Sequence, residues 1–303
     1  RGLVAPEDAF ELDAAGPALG TPDEFLAWRP EADKAVTDVE SPLVETVKLY
    51  RDLLAFHRDD ADRTAFLAAD LDRILWASGA AVSTGEAADL HDRKETALEA
   101  FIGRAGDHET ASLARFHLAS LLQQGDGQAA GPDDGDLVEA RAIAVEGAEA
   151  HPKSPGGAMC RNLVTQIESK DLSLQAERSW AEPWPAVRIS YRNLAKVHLR
   201  IVKADWPGRL KAGKPHAGWM DDADRRAILA LPAVRERAVD LPTTDDYRRR
   251  HEDIPVGTAF DAKSLEPGGY WVIASQKPDF GATDNVVQVA FVWVTRLAVC
   301  LLY

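Results

Sequence analysis

His57-Arg58-Asp59 is the first triplet along the chain whose side chains could do chemistry. The same order in a kinase catalytic loop sets an aspartate beside a hydroxyl nucleophile, with an asparagine a few residues later. Here that asparagine is absent and the triplet falls at a predicted helix end. A basic residue at such an end complements the helix dipole, and that is the reading adopted. The Gly/Asp-rich stretch from Asp126 to Asp136 has oxygen ligands enough to suggest calcium. It lacks the alternating carboxylates and the bidentate glutamate at the twelfth position that an EF-hand loop requires, so it reads as a solvated loop. Asp221, Asp222 and Asp224 read as an acidic helix N-terminus. Asp245-Asp246, followed by Tyr247-Arg248-Arg249-Arg250, reads as a charge-paired exposed strand and not as an acid–base dyad.

The eight histidines stand singly at 57, 91, 108, 117, 151, 198, 216 and 251, so no His-Glu-x-x-His pair can form on one helix face. His117 lies near an apolar stripe and reads as a core histidine. No Gly-x-Ser-x-Gly elbow, phosphate-binding loop or dinucleotide fingerprint is present. Cys160 falls in a predicted helix and Cys300 in a predicted strand, and neither has a partner at metal-ligand spacing. Nothing in the sequence places the two within bridging distance. Trp180, Pro183, Trp184 and Pro185 could form an aromatic ligand platform, but the preferred reading is an arch whose indoles cover the edge of a core. No catalytic, cofactor-binding or metal-ligating residue is assigned, and no cofactor is expected.

A net charge of -14 and a pI near 5.0 argue against a nucleic-acid binder and against adhesion to an anionic membrane surface. The longest apolar run, Leu297 to Tyr303, is far short of the ~20 residues that span a bilayer. The chain starts at Arg1 without an initiator Met, which reads as a processed or trimmed start from which targeting information has been removed.

Positioning these residues falls to two kinds of element. Residues 1–40 are rich in Pro, Gly, Asp and Glu and are expected to form an extended or partly disordered lead-in that lies along the helical domain. Ser41-Pro42 is an N-cap followed by Pro at the first helical position. Leu43, Val47, Tyr50 and Leu54 then recur at helical spacing, as do Leu67, Leu71, Ile74 and Leu75. A third helix is expected from near Thr84, with Leu90, Leu98, Phe101 and Ile102 inward. A helix over 107–123 presents Leu113, Ala114, Leu118 and Leu121, and one over 136–150 presents Ala140, Ile143, Ala144 and Ala148. Small residues facing larger ones, with Pro just after, resembles a tetratricopeptide-type hairpin, although a plain helical bundle fits as well. A last helix follows Ser154-Pro155, with Cys160, Leu163, Val164 and Ile167.

From Leu172 onward the period changes. Val187, Ile189 and Tyr191 alternate with polar residues, and after a break at 193–195 so do Val197, Leu199 and Ile201, as half-buried strands require. Residues 206–231 form an excursion that is basic, Gly/Pro-rich and expected to be exposed over 206–220, then turns into a short helix opened by Asp221 and Asp222 with Ile228, Leu229 and Leu231 inward. Pro267-Gly268-Gly269 turns into a strand at Tyr270, a strand follows over 286–295, and another begins at Leu297. The expected fold is α+β in two domains: an all-α, TPR-like or bundled domain over 41–170 and an antiparallel β-sandwich of about seven strands over 171–303. The 206–231 excursion is an insertion in that sandwich, which reads as truncated at its C-terminal end.

Tyr191-Arg192-Asn193 between two strands, Leu265-Glu266-Pro267-Gly268-Gly269-Tyr270 before a third, and Val294-Thr295-Arg296-Leu297 after a fourth carry a family resemblance. With the helical hairpin ahead of them, they resemble the N-terminal part of bacterial α2-macroglobulin-like proteins, over roughly the last two-thirds of the chain. The resemblance implies a macroglobulin β-sandwich after a helical lead-in, in a larger periplasmic or secreted protein that traps proteases or defends the envelope. It implies a non-enzymatic, architectural role, with the other domains of the parent chain and proteases as partners. The thioester motif Cys-Gly-Glu-Gln of the trapping members is absent: Cys160 precedes Arg161-Asn162 and Cys300 precedes Leu301-Leu302. Two other readings stay open, a TPR-like peptide-binding module of the cell envelope and a hydrolase domain with a site dispersed over loops.

Overall fold

The computed structural model describes residues 9–296 apart from 34–35, 83–86, 126–135, 219, 243–244 and 282. The chain is α+β and divides into two compact units, Arg1–Ile167 and Glu168–Tyr303. The expected start of a helix at Thr84, most of the Asp126–Asp136 loop, Cys300 and the strand from Leu297 lie outside the described residues.

In the first unit a short β1 (Leu12–Asp13) runs to α1 (Pro22–Ala27), and α2 (Pro42–His57) and α3 (Thr64–Ala80) follow. A second short strand, β2 (Ala81–Val82), pairs in parallel with β1, and α4 (Ala87–Ala105), α5 (Thr110–Gln124), α6 (Leu137–Ala150) and α7 (Pro155–Glu168) complete the series. Local chemistry starts these helices where the sequence suggests. Ser41 Oγ accepts from Leu43 N with Pro42 in the first turn, and Thr21 and Glu24 close a capping box on α1. On α2 the fully buried residues are Val44, Val47 and Leu54, whereas Leu43 and Tyr50 are half-buried. On α3, Leu67, Leu71 and Ile74 are joined in the interior by Asp70 and Arg73.

Residues 9–33 lie along the helices as expected but are more structured than an extended lead-in. They fold into β1, two 3-10 turns and α1, and bury Leu12, Ala18, Leu19 and Phe25. The physical reason is Arg73, whose guanidinium donates to the carbonyls of Ala18 and Gly20 and so binds this segment to α3. The other end of the unit is held by close backbone approach. A Cβ on Gly156 would lie 2.7 Å from Leu113 Cα, and one on Gly147 would meet Cys160 Sγ at 2.6 Å, so small residues let α5, α6 and α7 pack tightly.

The second unit starts with β3 (Asp171–Ala176), β4 (Ser179–Trp180), β5 (Ala186–Arg192) and β6 (Lys196–Lys203). Next come α8 (Trp206–Lys211), α9 (Asp222–Leu229), β7 (Ala233–Asp240), β8 (Arg250–Pro255), α10 (Val256–Ala259), β9 (Gly268–Ser275) and β10 (Val287–Val294). One sheet has the order β4-β10-β9-β6-β7 and the other β3-β5-β8. All pairs are antiparallel except β4 with β10. The two consecutive alternating runs belong to different sheets: Asn193, at φ 57, turns the chain from β5 in one to β6 in the other. Leu172, Val187, Ile189, Tyr191 and Ile254 from one sheet meet Val197, Leu199, Ile201, Val272 and Val292 from the other in a single apolar layer.

No residue of 206–218 is buried, in keeping with its composition, while the helix that follows turns Ile228 inward as expected. Together with Val202, Trp271, Ile273 and Val287 from the outer face of the larger sheet, Ile228 builds a second apolar cluster, on which Ala217, Met220, Leu229 and Leu231 also pack. Strand β9 is therefore covered on both faces, with every residue from Gly269 to Ser275 buried. A strand apolar on both faces needs such a second cover, because one sheet contact can hide only every other side chain.

Candidate binding cleft

The outer face of the larger sheet is where the structure gathers side chains that the sequence separates. Along β10, Val292 and Val294 point into the layer between the sheets. Alternation then turns Val289, Phe291 and Trp293 outward. Trp271 on β9 lies directly across from Phe291 in the register, with ring centroids 4.9 Å apart. The third contributor is Trp206. Asp205 caps α8 by accepting from Gly208 N, which sets Trp206 at the first helical position above the sheet. Its ring lies 4.8 Å from Phe291 and 5.4 Å from Trp293, and the two indoles meet at 74°.

These rings line a cleft of about 570 Å³ together with residues 215–218 and Met220. Trp293 N donates to Arg178 O at 2.7 Å, which holds Arg178 at the cleft's end. Arg225 donates to Val287 O and ties α9 to β10. On the same face, Arg209 of α8 lies 5.3 Å from the Trp271 ring and 3.9 Å from Asp224. The lining combines aromatic faces with Arg178 and His216 and contains no carboxylate among the described residues. Aromatic faces of this kind are suited to stacking, with one exposed cation beside them.

Most of the groups considered from the sequence serve local structure. His57 Nδ1 bonds Asp60 Oδ2 at 2.7 Å, and Arg58 pairs with Asp23. Asp136 caps α6 by accepting from Glu139 N. Asp221 and Asp224 form a capping box on α9 and both bind Lys214. The backbone N–H of Asp224, with Lys214, holds the Asp221 carboxyl below its usual range. Asp246 accepts from Arg250 and from the Arg248 backbone. His117 is half-buried edge-on to Phe116, and burial pushes its pKa down. Trp180 is fully buried in the core shared by the two sheets and Trp184 packs against it partly buried, so the indoles cover a core as the arch reading expects.

One pairing was not visible in the sequence. Ser112 Oγ lies 3.1 Å from His151 Nδ1, and His151 Nε2 lies 2.8 Å from Asp107 O. The carbonyl can only accept, so Nε2 carries the proton and Nδ1 accepts from the serine. Ser112 is 0% exposed, which shuts it away from any substrate, and the pair instead ties the start of α5 to the end of α6. Close by, the Cys160 thiol donates to Ser112 O at 3.3 Å, and burial pushes its pKa up to about 11. No protein-family model matches the chain, and no curated protein is significantly similar to it.

The aromatic cleft is the site that sequence reasoning missed. Its contributors lie on α8, β9 and β10 and show no common spacing. The one available signal was Val287-Gln288-Val289-Ala290-Phe291-Val292-Trp293-Val294, a strand apolar on both faces and so needing two partners.

Proposed function

We propose that the chain is a non-enzymatic segment of a bacterial α2-macroglobulin-like envelope protein. In this reading the second unit is a macroglobulin-type β-sandwich and the first a TPR-like helical lead-in. The observation that carries the reading is the single apolar layer shared by the two sheets, with the residues of the resemblance at its corners. Asn193 makes the turn between sheets, Tyr191 Oη donates to Pro242 O, and Tyr270 Oη donates to Glu266 O at the turn into β9. Buried tyrosines tied to backbone carbonyls are the kind of corner that holds stacked sheets in register. The segment would act through surfaces, in the periplasm or outside the cell, against other domains of its parent chain and proteases.

The test is the size and place of the native product. An antiserum raised against this chain should detect, in envelope or secreted fractions of the source cells, a protein several times the 33.0 kDa of this segment. A native product near that mass, or one confined to the cytoplasm, would overturn the macroglobulin reading. The aromatic cleft favours a second reading, a binding module of the envelope, for which a small native product is no obstacle. The TPR groove of that reading is disfavoured on α3, where residues 9–33 already lie.

A further inference from the structure

We propose that the cleft beside β10 binds an extended, proline-containing, acidic peptide segment of a partner protein. The inference rests on the binding-module reading and is indifferent to macroglobulin parentage. Three observations lead to it.

The first is the shape of the aromatic floor. Trp206 and Trp293 meet at 74° with Phe291 within 5.2 Å of both, which makes an angular notch and not a flat platform. Trp293 is left 39% exposed, a large apolar side chain in water at the mouth of the notch. A pyrrolidine ring is rigid and apolar and stacks on aromatic faces at little entropic cost.

The second is hydrogen bonding. Neither indole N–H of Trp206 or Trp293 finds an acceptor among the described residues. A polyproline II strand has no internal hydrogen bonds, so its carbonyls are free to accept from such indoles. A sugar would need polar side chains for its hydroxyls, and among the described lining residues these are Arg178 and His216.

The third is charge. The first unit has 15 Lys/Arg against 31 Asp/Glu, whereas the second has 20 against 18. Within that less acidic unit, Arg178 stands exposed at the end of the cleft and makes no ion pair among the described residues. With no carboxylate among the described lining residues, the cleft is complementary to an acidic ligand, and Arg178 disfavours a basic one. A carboxylate one or two residues from the docked proline would reach Arg178.

The experiment is fluorescence anisotropy with the full chain and three labelled nonapeptides, repeats of Pro-Pro-Asp, Pro-Pro-Lys and Gly-Gly-Asp. The expected result is saturable binding of Pro-Pro-Asp, with the other two weaker by about tenfold or more. Trp293→Ala and Arg178→Glu should each weaken Pro-Pro-Asp by about tenfold, and Arg178→Glu should narrow or invert the preference over Pro-Pro-Lys. Arg178 is exposed, so its variant keeps the test intact if Trp293→Ala fails to fold. Failure of Pro-Pro-Asp to saturate at about 1 mM, or equal binding by both variants, overturns the proposal. Saturation by an oligosaccharide such as chitotetraose in place of the peptides would overturn the peptide assignment yet leave the binding-module reading standing. Binding of neither class removes both.

Discussion

Replacing Asp70 by Asn should cost the first unit about 3–5 kcal/mol, because it strands a buried cation. Asp70 and Arg73 are both 0% exposed. Arg73 donates to Asp70 Oδ1 through Nε at 3.0 Å and Nη2 at 2.6 Å, and Arg104 donates to Oδ2 at 3.0 Å. One carboxylate thus balances two guanidiniums. Burial pushes the Arg73 pKa down, and Asp70 opposes that shift; its face also lies 4.8 Å from the Phe25 ring. Solvent screening, which discounts surface pairs, has little hold on a pair this enclosed. For a unit of this size each kcal/mol moves the melting temperature by about 2–4 °C, so Asp70→Asn should lower it by about 6–20 °C. Urea unfolding followed by far-UV circular dichroism at the helical band reads the first unit directly. The double variant Asp70→Leu/Arg73→Met should recover part of the loss, since an apolar pair replaces an ion pair at small cost. It should not recover all, because Ala18 O and Gly20 O lose their donor. Limited proteolysis should then cut first within residues 9–33. A loss under about 1 kcal/mol for Asp70→Asn, or a double variant as unstable as the single, would refute the argument.

Three further outcomes follow from the geometry. Gly156→Ala normally gains stability in a helix, but here its methyl would collide with Leu113 N and lie 2.7 Å from Leu113 Cα, so a loss of about 1–3 kcal/mol is expected and an unchanged melting temperature would contradict it. Tyr50, half-buried and donating to Asp72 Oδ2 at 2.7 Å, has its pKa pushed up from 10.0 to about 12 by burial and by that carboxylate. The neutral phenol is the bound form, so its stabilisation is complete below pH 10.0 and is lost as pH rises through about 12. Burial raises Tyr191 as well, so absorbance titration at the phenolate band should show late-ionising tyrosines of which Tyr50→Phe removes one; an unchanged titration would sink the assignment. Cys160, pushed up to about 11, should resist alkylation by iodoacetamide at mildly alkaline pH until urea is added. Mass mapping of the peptide that contains it decides the matter, and rapid native modification would count against its burial.

Local signals in this sequence were reliable where a residue and its near neighbours suffice. Ser41-Pro42 opens α2 and Asp221 opens α9, because a cap needs only the next turn of chain. The alternation of Val187, Ile189 and Tyr191, and of Val197, Leu199 and Ile201, announced strands with one buried face each. Alternation says that a face is covered and is silent about what covers it. Only the tertiary structure sent β5 and β6 to different sheets, laid residues 206–231 over β9, and turned an acidic lead-in into an ordered segment held by Arg73. The cleft belongs wholly to that level. Trp206, Trp271, Phe291 and Trp293 become one surface through strand pairing and helix placement, which are contacts between distant residues that no local spacing encodes.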